Sequence, residues 1–284
     1  MKRLMYAAPK YLAVIAACVA AFFIQQAFAF AHGGNVASFV DYGGVFRVPD
    51  VHIFGLSLYY VLMIFGLLVT IAFALLRAKA FGFGVVTAVL IPVGCVLEGL
   101  IGAKLLFGLE KVIVSGSLSA FSMSGQSLFG SVFLTFLLVP LAAKLLKKDT
   151  RLLYDYIAPF WILMLMFVRT GCFLQGCCGA HVYLIDGIPV VPPVQLFEVI
   201  CDLLILQACF FMERKYIDWS SGKVGKAGGT LFFLVTMAYS LCRFVLEFVR
   251  DSVTVFLGLT FGQFYAIICI SIGLCVIFST RKKK

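Results

Sequence analysis

Apolar residues fall into long uninterrupted runs along this chain, and nearly all the charge is collected in the short segments between them. The runs lie near 11–31, 53–76, 83–107, 127–143, 154–174, 194–212, 229–249 and 262–280. Each is close to the roughly 20 residues that a helix needs to cross a bilayer. Continuous hydrophobicity of that length predicts transmembrane helices rather than the one-sided helices of a soluble core. The first run follows Lys2, Arg3 and Lys10 and closes with Ala27-Phe28-Ala29. Residues 1–31 therefore read either as a secretory signal peptide with a small-residue cleavage site or as a first transmembrane helix. Residues 32–284 show no repeat, linker or soluble module and are expected to form a single transmembrane helical domain. The expected fold class is all-α, a polytopic membrane helix bundle of about seven core transmembrane helices plus that N-terminal segment.

Composition agrees, with 63% hydrophobic and 13% charged residues and a mean hydropathy of +1.08. The net charge of +10 is distributed in a way that excludes nucleic acid as a partner. Arg77 and Lys79, Lys144 to Arg151, Arg214 to Lys226 and Arg281 to Lys284 follow alternate spans, which is the positive-inside pattern of a membrane protein rather than a basic patch. With those loops in the cytoplasm, 108–126, 175–193 and 250–261 face outside. The loop Trp219 to Lys226 is a solvated cytoplasmic segment whose basic residues suit anionic lipid.

Against this background, the polar residues inside the runs carry the information. Tyr239, Arg243, Glu247 and Arg250 recur at helical spacing within and just after Leu231 to Val249. An Arg at the centre of a membrane helix is disfavoured by roughly 2.5–3.5 kcal/mol on insertion scales, so such residues mark functional sites. Taken alone, Arg243 and Glu247 also fit a snorkelling anchor with an i, i+4 ion pair. Other segments repeat the pattern. Arg169 sits near the outer end of 154–174, Gln195, Glu198 and Asp202 share one face at the start of 194–212, and Gln263 opens the last run. Three helices thus present charge at one leaflet, either as mutually neutralising structural pairs or as a site for a phosphodiester head group, which arginine recognises bidentately.

Several of these blocks resemble the signatures of prolipoprotein diacylglyceryl transferase. They are Leu58-Tyr59-Tyr60, Arg169-Thr170-Gly171-Cys172-Phe173, Pro193 to Glu198, Tyr239 to Asp251, and Gly262-Gln263, in matching order over roughly 53–280. The resemblance implies a multi-pass enzyme of the bacterial inner membrane whose active site faces outside. It would transfer the diacylglyceryl group of phosphatidylglycerol to the lipobox cysteine of a preprolipoprotein, releasing glycerol phosphate. The implied partners are phosphatidylglycerol, the preprolipoprotein signal peptide and membrane lipids, with no metal and no organic cofactor. Arg243, Glu247, Tyr239 and Arg169 match the family's catalytic positions. Gln195, Glu198, Arg250, Tyr59, Gln263 and Gly171 fall at substrate-binding ones.

The chain also departs from that pattern. After Arg169 the family reads G-N-F-x-N-x-E, whereas Cys172, Gln175 and Cys177 replace both asparagines and the acid. Gly125 falls where the family carries a histidine, and Leu100 where it carries an arginine, with Glu98 and Lys104 remaining nearby. An alternative function follows: a phospholipid-dependent transferase with another acceptor, or a membrane thiol-disulfide or lipid-binding protein using Cys172, Cys177 and Cys178.

Seven of the ten cysteines are scattered through apolar runs and read as small buried hydrophobes. Cys172, Cys177 and Cys178 differ, lying together at the end of a run beside Arg169 and His181. Three readings of this group stand. They are a loop-pinning disulfide from Cys172 to Cys177 or Cys178, a reactive thiol activated by Arg169, and a metal site with His181, which lacks an evident fourth ligand. His32, His52 and His181 read as loop histidines, and Gly33-Gly34 and Gly43-Gly44 as loops without the context of a phosphate cradle.

Overall fold

The structure is a computed structural model that describes residues 52–282 apart from 54, 123–124, 176, 182, 186–187, 191, 214–216, 219–222 and 225–228. The N-terminal segment 1–31, His32 and the paired glycines lie outside the described residues.

Each predicted core span becomes a helix: α1 (Leu58–Ala78), α2 (Val85–Ser115), α3 (Leu128–Leu145), α4 (Thr150–Gln175), α5 (Val194–Glu213), α6 (Leu231–Leu246) and α7 (Phe261–Lys282). Six are long and apolar enough to cross a membrane, and α6 is a shorter apolar helix. Among the boundaries that differ from the hydropathy pattern, two lie at the ends of α2 and α6. Helix α2 runs on to Ser115, through residues expected to begin a loop, and stops where Gly116 adopts φ +67 and caps it. Helix α6 stops at Leu246 rather than Val249, so Arg250 is not on the helix. The backbone there is claimed by a neighbouring loop: His181 N–H donates to Val249 O at 3.1 Å, and Asp251 N–H donates to Gly179 O at 3.2 Å. Apolarity reports membrane depth, but it does not report which partner a carbonyl will take.

Polar side chains show that successive helices run antiparallel. At one end Arg77 of α1 meets Glu213 of α5 at 2.5 Å, and its guanidinium lies over the rings of Phe73, Phe81, Tyr156 and Phe160. Beside it, Asp155 of α4 accepts the backbone N–H groups of Gly229 and Leu231 at 3.1 and 2.9 Å, satisfying donors at the start of α6. At the other end lie the C-termini of α4 and α6 and the N-termini of α1, α5 and α7, where the remaining buried charge collects. Helix α4 is the axis, with 78% of its apolar window buried, while α2 has only 17% buried and offers most of its surface to lipid.

Helices α2 and α3 touch backbone to backbone. A Cβ placed on Gly130 would lie 2.0 Å from Gly102 O, and one on Gly102 would lie 2.4 Å from Gly130 O. Small residues at a crossing are how membrane helices gain close van der Waals contact where lipid removes the hydrophobic drive. Gly130→Val is therefore expected to separate α2 from α3. Overpacking commonly costs about 1–3 kcal/mol, and a lowered thermal midpoint in detergent, compared with Leu137→Val on the lipid face, is the measurement.

Candidate active site

Helix α5 starts directly after Pro192 and Pro193, with Val194 N–H donating to Pro192 O at 2.8 Å. Proline suits that place because it lacks the N–H that a first turn would leave unused. The turn sets Gln195, Glu198 and Asp202 on the inward face, at 5%, 2% and 1% exposure, so all three must find partners within the protein.

Glu198 is the hub. One carboxylate oxygen contacts Arg169 Nε of α4 at 2.5 Å. The other accepts a short hydrogen bond from Arg243 of α6 and a longer one from Arg250 at 3.4 Å. Arg243 also contacts Glu247 at 3.0 Å, and Arg250 Nε lies 3.6 Å from the same oxygen. The Arg169 contact is a charge contact whose N–H direction is not that of a hydrogen bond. Three buried arginines thus share two carboxylates, and Arg243 Nε has no hydrogen-bond partner. Both oxygens of Asp202 are likewise buried without a hydrogen-bond partner. Buried polar groups without partners are costly, and here they include both a donor, Arg243 Nε, and the two acceptor oxygens of Asp202.

The other expected residues surround this hub in distinct ways. Tyr239 is 1% exposed, its hydroxyl has no hydrogen-bond partner, and its ring meets Trp161 edge-on at 5.1 Å. Gly262 lets α7 approach Glu247, for a Cβ there would stand 2.8 Å from the carboxylate carbon. Gly171 does the same for Tyr59, whose ring a Cβ would meet at 2.7 Å. Gln263 is engaged locally: its Oε1 accepts Thr260 N–H at 3.1 Å while its own N–H donates to Thr260 Oγ1 at 3.2 Å. That reciprocal cap fixes the start of α7. Gln195 Nε2 donates to Cys177 O at 2.7 Å and so holds the cysteine loop rather than the arginines.

The three clustered cysteines are unbonded thiols whose sulfurs all lie within 4.8 Å of one another. What pins the loop is backbone: Cys177 N–H donates to Cys172 O at 3.1 Å, and Ala180 bridges to Arg250. Hydrogen bonds from Cys172 and Cys177, with Arg169 and Arg250 behind them, hold the Cys178 thiol well below its usual range. His181 turns away, its Nδ1 3.3 Å from Asp251.

The departures from the family pattern have structural consequences. Gly125 has φ +146, and a Cβ there would strike the Phe107 ring at 2.3 Å, so no side chain fits as the backbone stands. Leu100 lines an apolar cleft of about 100 Å³ together with Tyr59, Met63, Trp161, Leu165 and Val168. Trp161 was invisible to the sequence reading because an aromatic residue in an apolar run looks like core. Glu110 was missed as well. It accepts Ser127 Oγ–H at 2.5 Å across the α2–α3 junction, and only this tertiary contact makes it notable.

Comparison with known proteins bears on the whole bundle. The family model described as prolipoprotein diacylglyceryl transferase matches residues 44–279. A phosphatidylglycerol–prolipoprotein diacylglyceryl transferase of Clostridium tetani is 28% identical over 250 residues, covering 82% of this chain and 97% of the relative. A second protein of that name from Clostridium perfringens is 26% identical over 257 residues, covering 84% and 96%. A match that begins before α1 and ends within α7 leaves one assignment for the entire membrane domain: this chain belongs to the prolipoprotein diacylglyceryl transferase family.

Proposed function

We propose that this protein transfers the diacylglyceryl group of phosphatidylglycerol to the lipobox cysteine of a preprolipoprotein at the outer leaflet of the bacterial inner membrane. The observation that carries this reading is the convergence of Arg169, Arg243 and Arg250 on Glu198 at the end of a membrane bundle. The relatives' names supply the donor and the acceptor.

The chemistry follows from the placement. The lipid phosphate docks among the arginines, exchanging some of their contacts with Glu198 and Glu247 for bidentate contacts with its own oxygens. The acyl chains extend into the apolar cleft that reaches from Tyr59 to Thr70 and Pro92. When the acceptor sulfur attacks the glyceryl carbon next to the phosphate, the breaking C–O bond places a second negative charge on the leaving phosphate. Arginines already oriented by Glu198 and Glu247 stabilise that charge without reorganising. Glu247 and Tyr239 stand beside them as the groups that assist loss of the thiol proton. Glu198 and Gln195 act as positioning residues, one ordering the arginines and the other the Cys177 loop.

The orientation reading rests on Arg77, Lys79, Lys144, Lys147, Lys148 and Arg151, which gather at the end opposite the cluster, as the positive-inside pattern requires of a cytoplasmic face.

Two outcomes test these statements. Purified protein incubated with phosphatidylglycerol and a lipobox peptide is expected to add a diacylglyceryl mass to the peptide cysteine. Arg243→Ala should lower the rate by about 10²–10³, the scale for removing one preorganised charge-stabilising donor. A folded sample giving no product beside an active relative would reject the activity. In intact cells, a membrane-impermeant thiol reagent is expected to label Leu257→Cys, which is 83% exposed in the loop after α6, and to spare Lys144→Cys. The reverse pattern would invert the assigned topology.

A further inference from the structure

The cysteine cluster is not absorbed by the phosphate chemistry. Cys172 is buried at the end of α4, Cys177 is half-buried and Cys178 is exposed. A disulfide would use two sulfurs and strand the third. A tetrahedral zinc ion with Zn–S bonds of about 2.3 Å holds its thiolates about 3.8 Å apart, so three sulfurs within 4.8 Å of one another need only a small contraction to bind one.

The loop around them is shaped for that purpose. Cys178 adopts φ +62, an uncommon conformation for a residue with a side chain, which folds two adjacent cysteines back toward Cys172. Gln195 holds the Cys177 carbonyl from outside the sulfur set, and Gly179 and His181 are hydrogen-bonded to the backbone after α6. Supports of this kind orient the groups that bind a metal. His181 is paired with Asp251 and does not complete the set. Among the described residues the cluster therefore offers three ligands and one open position on its exposed Cys178 side, the form that catalytic zinc sites take.

We propose that Cys172, Cys177 and Cys178 bind a zinc ion whose fourth position takes the sulfur of the acceptor cysteine. This rests on the transferase reading above and deepens it. Cys172 follows Arg169 by one turn of α4, and Ala180, two residues after Cys178, bridges to Arg250, so the metal stands beside the phosphate clamp. The net negative charge of a zinc trithiolate is matched by those guanidinium groups. The acceptor thiol binds as thiolate and releases its proton, because a coordinated thiol is deprotonated outright. Its sulfur forms the C–S bond to the glyceryl carbon while the C–O bond to phosphate breaks. The electron pair leaves with glycerol phosphate, which takes up the released proton, and nothing is oxidised or reduced. The neutral thioether is a poorer ligand than the thiolate and departs. Zinc would thus add its own activation of the nucleophile to the proton removal assisted by Glu247 and Tyr239.

The test is metal analysis of the full-length protein purified in detergent without chelator. About one zinc per chain is expected in the wild type and in Cys275→Ser, a thiol on the opposite half of α7, with a fall of about tenfold or more in Cys172→Ser and Cys178→Ser. Cobalt exchanged into the wild type should show thiolate-to-cobalt charge-transfer absorption. A lipobox peptide should perturb that absorption, and its Cys→Ser form should not. Wild-type protein that is folded yet holds no zinc and takes up no cobalt, or whose three thiols are found in a disulfide, overturns the site. A cobalt spectrum indifferent to the peptide overturns the acceptor's place on the metal. Zinc bound with no diacylglyceryl product would instead reject the activity while leaving the metal site standing, so the two failures are distinguishable.

Discussion

Everything at the functional end of this bundle depends on Glu198. Its carboxylate sits in the first turns of α5, is 2% exposed, and is the shared partner of arginines from α4, from α6 and from the segment after α6. Water is scarce at that depth, so each guanidinium must find its counter-charge within the protein or its ligand. Removing one member of a buried ion pair commonly costs roughly 3–5 kcal/mol because the other is left uncompensated. One carboxylate among three arginines is therefore a structural joint. It draws three elements together, and with Glu247 it gives the arginines two carboxylates to share.

The opposite end solves the same problem differently. Arg77 is fully buried, paired with Glu213 and enclosed by four aromatic rings. Cation–π contacts and a single close carboxylate use up that guanidinium within the protein. The two ends contrast: Arg77 faces rings, while Arg169, Arg243 and Arg250 share the carboxylate of Glu198. Between the two ends, α4 carries Trp161 from the wall of the apolar cleft to the edge of Tyr239. The lipid-facing space and the charged site are thereby joined by a rigid aromatic contact.

The exchanged positions are local and coherent. Gly125 packs on Phe107 where a histidine would otherwise project, Leu100 makes the cleft more apolar, and Cys172, Gln175 and Cys177 stand where two asparagines and an acid stand in the family pattern. The arginine hub beside them is unchanged.

Sequence by itself determined the class, the number of core helices and the residues of the hub, because the energetic cost of charge in a membrane is large and local. Arg169, Glu198, Arg243 and Glu247 stand out in apolar runs without any knowledge of their partners. Tertiary structure decided what each charge does. Arg77 looked like a loop flank and is a buried structural arginine, and Arg250 left its helix because the loop at Gly179 to His181 competes for the backbone. Gln263 became a helix cap, Glu110 acquired a partner on another helix, and Trp161 emerged from an apolar run as a contact of Tyr239. The spacing of Cys172, Cys177 and Cys178 allowed a disulfide, a free thiol or a metal. Only the mutual distances of three sulfurs, set by backbone bonds made far along the chain, distinguish these arrangements, because pairing across elements is a property of packing and is not written in any one segment.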